Sequence, residues 1–250
     1  MSGHSKWNTI KHKKAATDKK RGKIFTKHAK LVAIAAHGGG DPGMNPGLRA
    51  AIENARAENM PHDNIERAIK KGTGESKDSA QFEEVIYEGY GPGGVALYIE
   101  TLTDNRNRTI SNVKLIVSKK GGNMGAAGSV GYMFQKKGLI SVPLEGKNKD
   151  EIELAAIDAG ASDIKEEGES LEIYTDPQSL MLVRAALEKA GIKTESAGLT
   201  YVPTTEVLIS DPESAKKLLD LIEAVEEDED VTTVYSNADI PKEILEKLEG

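Results

Sequence analysis

The stretch "LISVPLEGKNKDEIELAAIDAGASDIKEEGESLEIYTDPQSLMLVRAALEKAGIKTESAGLTYVP", residues 139–203, decides the fold. "LISVP" is a β-rich run, and "KDEIELAAIDAG" reads as a helix. Two strands follow, "ASDIKE" and "SLEIYT", then a second helix, "PQSLMLVRAALEKAG", and a last strand, "KTESAGLTYVP". The order β-α-β-β-α-β is the ferredoxin-like arrangement, in which two helices lie on an antiparallel sheet.

Outward from this unit the pattern continues on both sides. Upstream, "EVIYEGY" and "GVALYIETL" are strand-like runs joined by "GPGG", which reads as a hairpin. "RNRTISNVKLIVSKKG" is then an amphipathic helix with Ile110, Val113, Ile116 and Val117 facing inward. Downstream come a strand, "TEVLIS", a helix, "DPESAKKLLDLIEAVEEDED", and a strand, "VTTVYSN". These complete the sheet begun at 84–102, so the 136–203 unit is inserted into another domain.

The first part of the chain is helical. "KIFTKHAKLVAIAAHGGG" puts Ile24, Phe25, Leu31, Val32 and Ala35 on one stripe. Asn45 and Pro46 start a second helix, with Leu48, Ala51, Ile52 and Ala55 buried. In "DNIERAIKKG" the spacing of Asp63 and Glu66 fits a capping box, Ile65, Ala68 and Ile69 face inward, and Gly72 terminates. "GTGESKDSAQ" (72–81) is a polar linker. The expected fold is therefore α+β: a small N-terminal helical bundle followed by two α/β (ferredoxin-like) domains, the third inserted into the second. The expected boundaries are 1–76, 80–135 plus 204–238, and 136–203.

Charge is divided unevenly along the 250 residues. The whole chain carries a formal net charge of -7, yet residues 1–77 hold 16 Lys or Arg against 7 Asp or Glu. Residues 3–30 alone hold ten basic residues and one acid, Asp18. Such asymmetry points to a polyanionic partner for one end of the chain. Lys6, Lys11, Lys13, Lys14, Lys19, Lys20, Arg21, Lys23 and Lys27 are the expected phosphate contacts. Trp7, the one tryptophan, either stacks on an unpaired base or ties the basic arm to the bundle. Arg106 and Arg108 start a helix, where cations oppose the dipole, so they are expected to meet a bound anion or an acidic partner. The run "EAVEEDED" (223–230) reads as a solvated helix end that keeps clear of nucleic acid.

Other chemistries find little support. The chain has no cysteine, which fits a reducing compartment and removes disulfides and thiolate metal sites. The five histidines lack the spacing of a helical zinc pair, so no metal and no cofactor are expected. "GYGPGG" (89–94) matches a dinucleotide fingerprint but is followed by a strand rather than a helix. "GGNMGAAGSVG" (121–131) lacks the Lys-Ser/Thr ending of a phosphate-binding loop. It reads as a mobile connection, with a backbone contact to a nucleic-acid phosphate as its alternative. No signal-peptide core or membrane-spanning run is present, so the expected location is cytoplasmic, with no membrane partner. Neither a nucleophile elbow nor a serine triad signature is present, so no enzyme and no small-molecule substrate are expected.

Four stretches resemble one family closely: "GHSKWNTIKHKKAATDKKRGKIFTK", "GGGDPGMNPGLRAAIENARAENMPHDNIERAIKKGTG", "YEGYGPGGVALYIETLTDNRNRT" and "KKGGNMGAAGSV". They are similar to the YebC/PmpR family, which includes the mitochondrial translational activator of cytochrome c oxidase. The resemblance runs through nearly the whole chain and is strongest up to about residue 135. His37 stands where Arg is expected in many relatives. The resemblance implies three domains around a cleft and a non-enzymatic role in gene expression. That role is either transcriptional regulation by binding DNA, or translation, on messenger RNA or at the ribosome.

Overall fold

The computed structural model describes residues 18–75, 82–145 and 148–249. Three helices come first: α1 (Asp18–Ala36), α2 (Pro46–Ala57) and α3 (His62–Gly72). Asn45 caps α2 by accepting from Leu48 N–H at 3.0 Å, and its amide donates to the carbonyls of Ala35 and Gly39. One side chain thus closes α1 and opens α2, satisfying orphan groups at both ends. The bundle core is Val32, Ala36, Leu48, Ile52, Ala55, Met60, Ile65 and Ala68, with Phe25, Ala29 and Ile69 packed on it. On α1 the buried stripe is Phe25, Ala29, Val32 and Ala36 with Ala35 beside it, so Phe25, Val32 and Ala35 face the core as spacing predicts, while Ile24 and Leu31 do not join it. The Asp63–Glu66 capping box does not form, because α3 begins after Pro61 without a side-chain cap.

The second unit is a four-stranded sheet of β1 (Glu83–Tyr90), β2 (Ala96–Thr103), β3 (Asn123–Met124) and, far along the chain, β9 (Val231–Ser236), in the order β3-β1-β2-β9. Gly93 and Gly94 take φ of 76° and 74° in the tight turn between β1 and β2, a conformation that favours glycine. Helices α4 (Arg106–Lys119) and α7 (Pro212–Glu226) cover one face. Leu97, Ile99, Val113, Val117, Leu218 and Leu221 are fully buried there.

Between β3 and α7 the chain makes its own sheet. Strands β4 (Phe134–Pro143), β5 (Asp163–Glu167), β6 (Ser170–Thr175) and β7 (Ser196–Pro203) pair in the order β5-β6-β4-β7, all antiparallel. Helices α5 (Lys149–Asp158) and α6 (Leu180–Lys189) close its core around Ile140, Val142, Leu171 and Ile173. This is the ferredoxin-like order, and the unit is inserted in the chain of the first sheet. "TEVLIS" supplies β8 (Val207–Leu208), which pairs in parallel with β10 (Ala238–Asp239) and does not join the four-stranded sheet. A last helix, α8 (Lys242–Glu249), packs Ile244 and Leu245 into the core beneath α7.

The two sheets meet through aromatic rings. Tyr98 of β2 stacks on Phe134 of β4 at 5.3 Å, and Tyr201 of β7 touches both Tyr98 and Tyr235. Burial pushes the Tyr98 hydroxyl up to about 12.

Candidate nucleic-acid interface

Of the expected phosphate contacts, Lys6, Lys11, Lys13 and Lys14 lie outside the described residues, as does Trp7. Lys19, Lys20 and Arg21 lie on the first turn of α1, and Lys23 follows, half-buried. Lys27 is turned inward. Its ammonium donates to Thr232 O at 3.3 Å and to Thr233 Oγ1 at 3.4 Å, and burial pulls its pKa down. Three residues further along α1, Lys30 is 9% exposed and donates to Leu102 O, Glu229 O and Asp230 Oδ1. Lys27 and Lys30 therefore dock the bundle on the β2–β9 edge of the first sheet.

Asp230 is the acceptor at the centre of this junction. Its exposure is only 4%. One oxygen takes Lys30 at 2.8 Å, and the other takes Arg108 at 2.7 Å and Thr109 at 2.8 Å. Burial opposes its charge, but the bonds from Lys30, Arg108 and Thr109 outweigh that, and the carboxyl is held below the usual range. Arg108 also pairs with Asp104, and Arg106 grips both carboxylate oxygens of Glu83. The acidic partner expected at this helix start is thus the protein's own: Arg106 and Arg108 stay exposed but are held by its carboxylates. The reading of 223–230 as a solvated helix end is corrected at Asp230, which the fold buries as the counter-charge of two cations. Beside it lies a polar cleft of about 420 Å³, where Lys71 sits 4.4 Å over the Phe82 ring.

The glycine-rich loop is a second built feature, at the other end of the same sheet. Glu88 of β1 reaches across to it, and its carboxylate accepts from the backbone N–H of Gly128, Val130 and Gly131 at 2.6–2.7 Å. The amides that could cradle a phosphate hold this carboxylate instead. Burial works against the charge, yet the three amides together keep Glu88 ionised below the ordinary glutamate range. Gly125 N–H donates to Glu88 O, and β3 pairs with Gly89 and Tyr90. The loop is therefore pinned along its length to β1, contrary to the mobile connection read from its composition.

Comparison with known proteins agrees with this architecture. Residues 5–75 match the model of the TACO1/YebC protein N-terminal domain, and residues 82–238 match that of the TACO1/YebC second and third domain. The chain belongs to the TACO1/YebC family. Relatives within it include a protein of Thermobifida fusca, 51% identical over 99% of this chain and 100% of its own length. Another, from Geotalea uraniireducens, is 54% identical with the same coverage. Both bear the name probable transcriptional regulatory protein. A crystal structure of a conserved hypothetical protein from Aquifex aeolicus matches with a TM-score of 0.86 at 49% identity, covering 94% of this chain and 97% of that one. Among the described residues no helix is long and apolar enough to cross a membrane, and no three His, Asp or Glu side chains are grouped to hold a metal ion.

Proposed function

We propose that this TACO1/YebC family member is a cytoplasmic, non-enzymatic regulator of gene expression that grips nucleic acid through its basic amino-terminal segment. The observation that carries the reading is how charge is apportioned around the docking of α1. Lys27 and Lys30 hold the helix on the acidic body, while residues 1–23 add eight Lys or Arg against the single Asp18. Lys6, Lys11, Lys13, Lys14, Lys19, Lys20 and Arg21 are the proposed phosphate contacts. Lys27, Arg106 and Arg108 are left out because neighbouring protein groups hold them. The names of the relatives support a regulatory role and favour transcription.

A second reading, binding to ribosomal or messenger RNA, draws on the exposed faces of α2 and α3. Arg49, Glu53 and Arg56 alternate in sign on α2, and on α3 the acidic Asp63 and Glu66 precede the basic Arg67 and Lys70. Neither helix offers a consistently basic face to the major groove of a duplex. Backbone and shape, which dominate the recognition of structured RNA, require no such helix. Crosslinking in cells followed by sequencing of the attached nucleic acid tests both readings. Promoter DNA supports transcription, ribosomal or messenger RNA supports translation, and the absence of either contradicts the proposal. Co-sedimentation with ribosomes at low salt is the independent check on the second.

A further inference from the structure

We infer that the junction between the helical bundle and the first sheet is an autoinhibitory latch: oxygens of the body hold the lysine face of α1, and the phosphates of a nucleic acid compete for the same lysines. The inference rests on the nucleic-acid reading above and concerns how that binding is regulated.

Lys23, Lys27 and Lys30 are spaced by four and then three residues, so they share one face of α1. Lys27 and Lys30 turn that face to the body. Lys27 donates to Thr232 O and Thr233 Oγ1, and Lys30 to Leu102 O, Glu229 O and Asp230 Oδ1. Of these five acceptors only Asp230 carries a formal charge. A nucleic acid offers oxygens of the same kind, with a full charge at every phosphate. The lysine face therefore has two competing sets of partners, one inside the chain and one outside it.

The junction lacks the apolar packing that fixes one domain on another. The bundle has its own core, drawn from residues 25–69, and the first sheet has another, drawn from residues 87–248. Among the described residues no side chain belongs to both. Phe82, where the chain re-enters the body, meets the bundle through the ammonium groups of Lys30 and Lys71, 5.7 and 4.4 Å from its ring centre. Lys71 of the bundle and Asp104, Asn112 and Asp228 of the body line the polar cleft beside it. Domains joined without a large apolar interface move relative to one another. A fixed structural joint accounts for the Lys30–Asp230 pair. It does not account for Lys27, a second lysine put away from water onto a carbonyl and a hydroxyl. Burial opposes the Lys27 charge, a cost that release removes. A ligand shifts such an equilibrium only by binding one position better, and the undocked bundle alone presents Lys27 and Lys30.

The test is pulsed dipolar electron resonance on the full chain, spin-labelled at Glu53→Cys on α2 and Ser118→Cys on α4, both exposed positions. The chain has no cysteine of its own, so these two alone take the label. The probes are a DNA duplex and an RNA hairpin, each of about 20 base pairs. The free chain should give one dominant distance, and a saturating probe should replace it with a longer one. Asp230→Asn should show the longer distance without any probe. With the wild-type chain open in about 1–10% of molecules, this variant should bind about tenfold to a hundredfold tighter, by the same factor as its gain in open fraction. Glu223→Gln makes the same charge change on an exposed residue of α7 and should show neither effect. Equal gains in the two variants would overturn the inference, and so would an open Asp230→Asn that binds no tighter. Circular dichroism checks that Asp230→Asn is folded; if it is not, the wild-type distances decide alone. A wild-type chain that binds a probe with its distance unchanged would sink the latch by itself. One that binds neither probe would sink the proposed function with it.

Discussion

Lys30 Nζ lies 2.8 Å from Asp230 Oδ1, across the junction between the helical bundle and the first sheet, with both side chains almost wholly removed from water. Taking two charges out of solvent is unfavourable unless each is fully paired. Here Lys30 also donates to two carbonyls, and Asp230 also receives Arg108 and Thr109. The pair fixes how the bundle sits, and therefore where the basic segment ahead of it leaves the body.

Asp230→Ala leaves Lys30 buried without its counter-charge. The expected cost is about 3–5 kcal/mol, read as a lower urea midpoint. Replacing both residues, Lys30→Met with Asp230→Leu, removes the orphaned charge and should recover part of that loss. A double variant as unstable as Asp230→Ala would show that the two do not act as a pair.

Gly72 ends α3 against α1, and a Cβ there would run into the carbonyl oxygen and backbone of Ala33 and the Cβ of Ala36. Backbone cannot swing aside as a side chain can. Gly72→Ala should therefore destabilise the bundle by about 3 kcal/mol, at the upper end for overpacking. Gly74→Ala, where no atom crowds the added carbon, should cost less, from its positive φ alone. Comparable losses in the two variants would contradict the close packing of α1 on α3.

Acid should loosen both anchored carboxylates. Asp230 and Glu88 each titrate below their ordinary values in the fold. Such groups contribute fully above the unfolded-chain pKa, about 3.9 for Asp and 4.3 for Glu, and lose the contribution as pH falls through the lower folded value. Unfolding free energy should thus fall below about pH 5. Glu88→Gln should flatten part of that decline, and faster amide hydrogen exchange should appear at Gly128, Val130 and Gly131. An identical pH profile in the variant would contradict the anchoring of the loop.

Local features of the fold were legible, as was the return of β9 to the first sheet around the inserted unit, but long-range side-chain partners were not. The Asn45 cap, the Gly93–Gly94 turn and the β-α-β-β-α-β order all follow from residues a few positions apart, where spacing and turn chemistry act directly. The inward stripe of α4 was legible for the same reason. Asp230 was hidden within an acidic run, because its burial depends on Lys30 and Arg108, which lie 200 and 122 positions away in the chain. The pinning of the glycine-rich loop depends on Glu88, some 40 positions back, and glycine-rich composition carries no trace of it. "TEVLIS" has the apolar content of a strand, but only the fold could decide that its partner is β10 and not the larger sheet. At the interface, sequence counted Lys27 among solvent-facing cations. Its inward turn comes from docking, which charge density does not encode.

The most direct test of the central claim is the salt dependence of nucleic-acid affinity for the full chain and for its Lys13→Glu, Lys14→Glu, Lys20→Glu triple variant. With about five phosphates neutralised on a duplex, log K should fall against log salt with a slope near -4.5, and the well-folded triple variant should lose binding. A slope near zero, or full affinity in the triple variant, would contradict the assignment of the basic segment to a phosphate backbone.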